Sequence, residues 1–121
     1  MPHYLVQAAY TADAAGAMVG NPQDRVEAVR PAVEALGGKV EAGYFSFGEF
    51  DIVFICEMPD NTTAAAFSLA AGAGGAVTAL RTTPLLTGEE GVAAMQKASE
   101  AMVQILRDVA DEFSATELAA A

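Results

Sequence analysis

Gly43-Tyr44-Phe45-Ser46-Phe47-Gly48-Glu49-Phe50-Asp51-Ile52-Val53-Phe54-Ile55-Cys56-Glu57-Met58-Pro59-Asp60 reads as two strands folded on a tight turn. Aromatic and β-branched residues fill both arms, Gly48-Glu49 marks the reversal, and Pro59-Asp60 stops the second arm. With Gly48-Glu49 as the loop, Phe47 faces Phe50, Phe45 faces Ile52 and Tyr44 faces Val53, and cross-strand partners share a face. One face then carries Phe45, Phe47, Phe50, Ile52, Phe54, Cys56 and Met58 and is expected to take the helices. The other carries Val40, Ala42, Tyr44, Ser46, Asp51, Val53, Ile55 and Glu57, apolar in the middle with acids near both ends. A face this apolar is not expected to meet water alone, and a partner subunit is its simplest cover.

Upstream, a first strand is expected from His3 to about Thr11, followed by a weak helical turn over 12–20. A firmer helix is expected to start at Asn21 as N-cap, with Pro22 at the first helical position and Asp24 in the first turn. Val26, Val29, Val33 and Leu36 fit one helical face. Pro31 interrupts that pattern and should bend or divide the helix, and Gly37-Gly38 ends it with a left-handed cap. Downstream, Asp60 or Asn61 caps a helix from Thr62 to about Ala71, and Gly72 to Gly75 breaks it. A fourth strand runs from Ala76 to Thr83, where Pro84 closes it. Thr87-Gly88-Glu89-Glu90 is a capping box. The helix it opens should reach Phe113, with Val92, Met95, Ser99, Met102, Leu106, Val109 and Phe113 spaced as a heptad seam. The remaining residues, 114–121, read as a frayed tail.

The order is strand, helix, two-strand hairpin, helix, strand, long helix. This is an α+β chain: a ferredoxin-like βαββαβ plait with an antiparallel four-stranded sheet and an added long C-terminal helix. Tyr4-Leu5-Val6, Leu36-Gly37-Gly38-Lys39-Val40-Glu41, Gly48-Glu49-Phe50-Asp51, Glu57-Met58-Pro59-Asp60 and Thr82-Thr83-Pro84-Leu85-Leu86-Thr87 together resemble the GYD-domain family. The resemblance spans residues 1 to about 90, with Phe50 where the family usually carries tyrosine. It implies a small dimeric protein of α/β-barrel type whose biochemical role is largely undefined. The helix over 87–113 is then an extension expected to pack on the same domain.

Composition narrows the function. The 121 residues suffice for one core, and a hydrophobic fraction of 53%, much of it alanine, is incompatible with a disordered chain. Sixteen acidic against six basic residues give a net charge of −10, which repels phosphate backbones and anionic lipid. Neither nucleic acid nor membrane is therefore expected as a partner. The single Cys56 has no disulfide mate within the chain and reads as a buried small hydrophobe. The start of the chain has no basic n-region or long apolar run, and cytoplasmic residence is the default expectation.

No catalytic motif stands out. Gly72-Ala73-Gly74-Gly75 follows a helix and precedes a strand, the reverse of a phosphate loop. His3 is the only histidine and no Cys/His cluster accompanies it, so no metal ligands and no cofactor are expected. One histidine is enough to ligate haem, as in related barrel folds, but an early-strand position suits a solvated or pairing histidine better. Asp51 has two readings: a carboxylate bonding exposed turn amides, or a base or ligand contact at the mouth of an intersubunit cavity. Pro2, if Met1 is removed, would offer a secondary amine as a base, as in small oligomeric tautomerases. Arg30, Lys39 or Arg81 would be the cation that lowers its pKa. The leading expectation is a homo-oligomeric binding or interaction module, a dimer or multiple of dimers, with a small ligand near Tyr44, Asp51, Glu57 and Arg81. The alternative is a cofactor-free isomerase using Pro2 or Asp51. The distal C-terminal helix, Leu106 to Phe113, is expected to meet a neighbouring subunit or another protein.

Overall fold

The computed structural model describes residues 1–120, with side chains described through Phe113. The expected frayed tail, 114–121, lies outside the residues whose side chains are described. The elements are β1 (His3–Tyr10), α1 (Ala12–Gly20), α2 (Arg25–Ala35), β2 (Lys39–Phe45), β3 (Ile52–Glu57), α3 (Asn61–Ala73), β4 (Val77–Leu85) and α4 (Gly88–Ala120). The four strands form one antiparallel sheet in the order β2-β3-β1-β4, the ferredoxin-like plait. Residues Met1–Leu85 form one compact unit and Leu86–Ala121 a second.

Within the first unit, strict alternation along β1 and β3 sorts the side chains into two faces. Tyr4, Val6 and Ala8 on β1 and Ile52, Phe54 and Cys56 on β3 point to one face, and all are buried with Met58 just beyond β3. Val33 of α2 and Ala64 and Phe67 of α3 close over them, with the Phe54 and Phe67 rings edge to face at 6.0 Å. The approach of α2 to β2 depends on Gly43, because a Cβ there would lie 2.5 Å from Val26 Cγ1.

The hairpin register is the expected one where the strands are regular: Phe45 pairs with Ile52, Tyr44 with Val53, and Ala42 with Ile55. A bulge then shifts it between Val40 and Ala42. The bulge turns Val40 onto the helix-covered face beside Cys56, where it is 3% exposed, and not onto the open face. The turn is also wider than Gly48-Glu49. The Ser46 N–H donates to the Asp51 carbonyl at 2.7 Å and its hydroxyl to the Phe50 carbonyl at 2.8 Å, closing a loop over 46–51. Gly48 sits in it at φ +146°, a conformation L side chains rarely adopt. Phe47, inside that loop, is 95% exposed, and Phe45, though still paired with Ile52 at the end of β2, is 67% exposed, so neither takes part in the core. Alternation ceases to place side chains once the ladder ends.

Other boundaries shift for local reasons. Residues 12–20 form a full helix, α1, because the Thr11 hydroxyl accepts from the Ala14 N–H. Asn21 is the C-cap of α1, and the N-cap of α2 is Asp24, whose carboxylate accepts from the Val26 and Glu27 amides. Pro31 lies inside α2 without dividing it. Leu36, beyond the end of α2, is partly exposed instead of buried. Asp60 caps α3 through the Thr63 N–H and hydroxyl. Those two bonds, the hydroxyl's first, hold its carboxyl below the usual carboxylate range. Strand β4 continues through Pro84, tolerated on an edge strand.

In the second unit, α4 opens on the expected capping box: the Thr87 N–H donates to Glu90 Oε1 at 3.0 Å and the Glu90 N–H to Thr87 Oγ1 at 3.1 Å. Val92, Met95, Met102, Leu106, Val109 and Phe113 along it are exposed. No helix among the described residues is long and apolar enough to cross a membrane.

Candidate functional site

The sheet face opposite α2 and α3 is built in three cross-strand rows. Antiparallel register aligns Tyr44, Val53, Gln7 and Arg81 in one row, and Ala42, Ile55, Leu5 and Thr83 in the next. The third row holds Lys39, Glu57, His3 and Leu85. Its centre, Leu5, Val53 and Ile55, is apolar and half-buried, and hydrogen-bonding groups stand at both ends. Of the residues singled out in the sequence, Tyr44 and Arg81 share a row on opposite edges. Glu57 stands at the far end, four residues along β3 and so about 13 Å away. These three frame a wall but cannot converge on one small group within a single chain.

The far end holds an unforeseen constellation. The bulge that turns Val40 inward brings Glu41 to His3, whose Nδ1 contacts Glu41 Oε1, and His3 Nε2 lies 3.7 Å from Glu57 Oε1. Each ring nitrogen thus has a carboxylate beside it. Their ligand-capable atoms lie within 4.8 Å of one another. One nitrogen and two oxygens are a donor set that a divalent cation accepts, and a histidine flanked by carboxylates is also suited to moving protons. The early-strand His3 is a pairing histidine, as its position suggested. Its partners were hidden because a bulge leaves no trace in composition or period.

At the opposite end, the Arg81 guanidinium lies over the Phe50 ring, 5.3 Å from its centroid, with Glu49 Oε1 3.8 Å away. Phe50 therefore meets Arg81, not the underside of a helix as expected. Both ions are well exposed, so the pair contributes little by itself.

Asp51 does not join the three-row face. Its Oδ2 accepts the Tyr10 N–H at 2.8 Å, and its own N–H donates to the Ala8 carbonyl at 2.8 Å. The carboxylate thus stands in for a strand carbonyl and continues the pairing of β1 with β3 past Ile52. Pro2 is exposed instead of set in an apolar pocket, and its carbonyl accepts the Met58 N–H at 3.0 Å. Of the cations weighed for it, Arg30 is held by Glu27 through two hydrogen bonds, of 2.9 and 3.0 Å. Under the sheet, burial pushes the Cys56 thiol up to about 11, with the Glu41 charge adding to the effect. Such a thiol is a poor nucleophile at neutral pH. The Tyr4 hydroxyl is likewise raised, by burial first and then by Asp60 and Cys56, and donates to Asn61 Oδ1 at 2.5 Å.

A family model described as GYD domain matches residues 4–95, from β1 into the first turns of α4. No curated protein and no solved structure matches the chain.

Proposed function

The chain belongs to the GYD domain family, and from that premise we propose that it is a cytoplasmic homo-oligomeric binding module holding a small ligand between sheets of neighbouring subunits. The observation that carries this reading is the open face, with its half-buried apolar centre of Leu5, Val53 and Ile55 between two polar ends. A second copy laid on it would bury that centre, since sheets pack about 10 Å apart face to face. Rows too widely spaced to meet within one chain would then line a shared cavity. Tyr44 and Arg81 would contact the ligand at one end and Glu57, with His3, at the other. The exposed stripe on α4, Leu106 to Phe113 in particular, would supply further contact with a subunit or a separate protein.

A second reading, proton transfer of the isomerase type, is favoured by His3 between Glu41 and Glu57. It moves the base from Pro2 or Asp51 to His3, because Pro2 is exposed and Asp51 is engaged by Tyr10. Native mass spectrometry of the purified protein tests the leading reading. A dimer or multiple of dimers carrying an adduct that Tyr44→Ala or Arg81→Ala removes is expected. A bare monomer of 12.4 kDa at tens of micromolar would end it.

A further inference from the structure

On the other side of the sheet, α1, the N-terminal turn of α2 and the end of β1 line an open cavity of about 470 Å³. That volume is in the range that holds small organic ligands. Met18, Val19, Pro22 and Phe45 give it an apolar wall, and Val19 and Phe45 are left 82% and 67% exposed. Arg25 lines the same cavity. Its Nε is shut off from solvent with no hydrogen-bond partner, and among the described residues the guanidinium forms no ion pair. Among the described residues, this Nε is the one buried side-chain nitrogen or oxygen without a hydrogen-bond partner.

That N–H is covered by protein and out of a ligand's reach, which leaves the terminal nitrogens of the guanidinium, without a hydrogen-bond partner among the described residues, to receive an acceptor. Its two terminal nitrogens form a planar fork that matches a carboxylate. Asp51 also lines the cavity, and only its Oδ2 is used, by the Tyr10 N–H. This negative charge on the wall disfavours a bare anion and favours one that brings a donor of its own. We propose that this cavity binds a small apolar carboxylate bearing a neighbouring hydroxyl or amino donor, with the carboxylate on Arg25, the donor toward Asp51 and the apolar body against Met18, Val19, Pro22 and Phe45. The site is separate from the open sheet face and needs no second subunit.

Calorimetric titration with 3-phenyllactate, which combines phenyl, hydroxyl and carboxylate, tests this. The wild-type protein should bind it saturably, and Arg25→Gln should weaken binding roughly ten- to a hundredfold, the loss of a charged hydrogen bond. 2-Phenylethanol, lacking the carboxylate, should bind weakly and with the same affinity in both proteins. Val19→Trp, at an exposed position on the rim, should block phenyllactate while leaving the melting temperature unchanged, which separates loss of the site from loss of the fold. No saturable binding by the wild type at millimolar phenyllactate would overturn the proposal. So would equal affinity in the wild type and Arg25→Gln.

Discussion

The two faces of one sheet are built from the same strands and could hardly differ more. On the covered face Tyr4, Val6, Ala8, Ile52, Phe54 and Cys56 are buried, and the polar groups among them, the Tyr4 hydroxyl and the Cys56 thiol, have their titration pushed upward. On the open face the apolar centre is only half-buried, and His3, Glu41, Glu57, Gln7 and Arg81 surround it. The difference teaches where constraint lies. A face that packs against helices draws its strand side chains from apolar residues, because a charge there is costly to bury, whereas one that keeps charged groups at the rim of an apolar patch is suited to recognition.

The largest effect expected separates the faces directly. Phe54→Ala on the covered face removes a ring packed edge to face on Phe67 and should cost about 3–5 kcal/mol in urea unfolding. Ile55→Ala, one residue along and on the open face, should change the stability of the dilute protein by less than about 1 kcal/mol. Equal losses at the two positions would mean that the open face is packed within the chain.

Alkaline pH probes the covered face next. The Cys56 thiol titrates near 9 when unfolded and at about 11 when folded. Below pH 9 both states hold the proton and stability is unaffected. Above it the unfolded chain releases the proton first, so stability falls as pH rises, by about 2–3 kcal/mol by pH 11. Cys56→Ala should flatten that decline, seen by chemical denaturation at pH 8 and pH 10.5. A wild-type curve parallel to that of the variant would place the thiol in contact with water.

A smaller effect lies at the seam between the faces. Asp51→Ala leaves the Tyr10 N–H without its acceptor and should cost about 2 kcal/mol, while Asp51→Asn, which keeps an oxygen, should cost about 1 kcal/mol or less. Thermal melts of the two variants check this. Unchanged stability in both would remove the strand-extending role given to the carboxylate.

Much of this contrast was legible in the chain itself. Alternation in Ile52-Val53-Phe54-Ile55-Cys56 assigned β3 to its two faces correctly, and the Thr87–Glu90 capping box marked the start of α4. What escaped has specific physical causes. A bulge adds one residue without changing residue type, so neither the inward turn of Val40 nor the meeting of Glu41 with His3 could be read from period. Asn21 and Asp24 are comparable N-caps on propensity, and only geometry shows which carboxylate or amide reaches the open N–H groups. Phe47 and Phe50 satisfied the alternation but lie beyond the last ladder pair, where Ser46 has already closed the loop. Arg25 is invisible in sequence because an unpaired guanidinium differs from a paired one only in its surroundings.

Sedimentation velocity on the wild type and Ile55→Lys, at tens of micromolar, tests most directly whether the open face is where this protein meets its partner copy. The wild type should sediment as a dimer or multiple of dimers. Ile55→Lys, with a charge at the centre of that face, should sediment as a 12.4 kDa monomer with an unchanged circular dichroism spectrum. A variant that stays oligomeric, or a wild type already monomeric, would contradict the account.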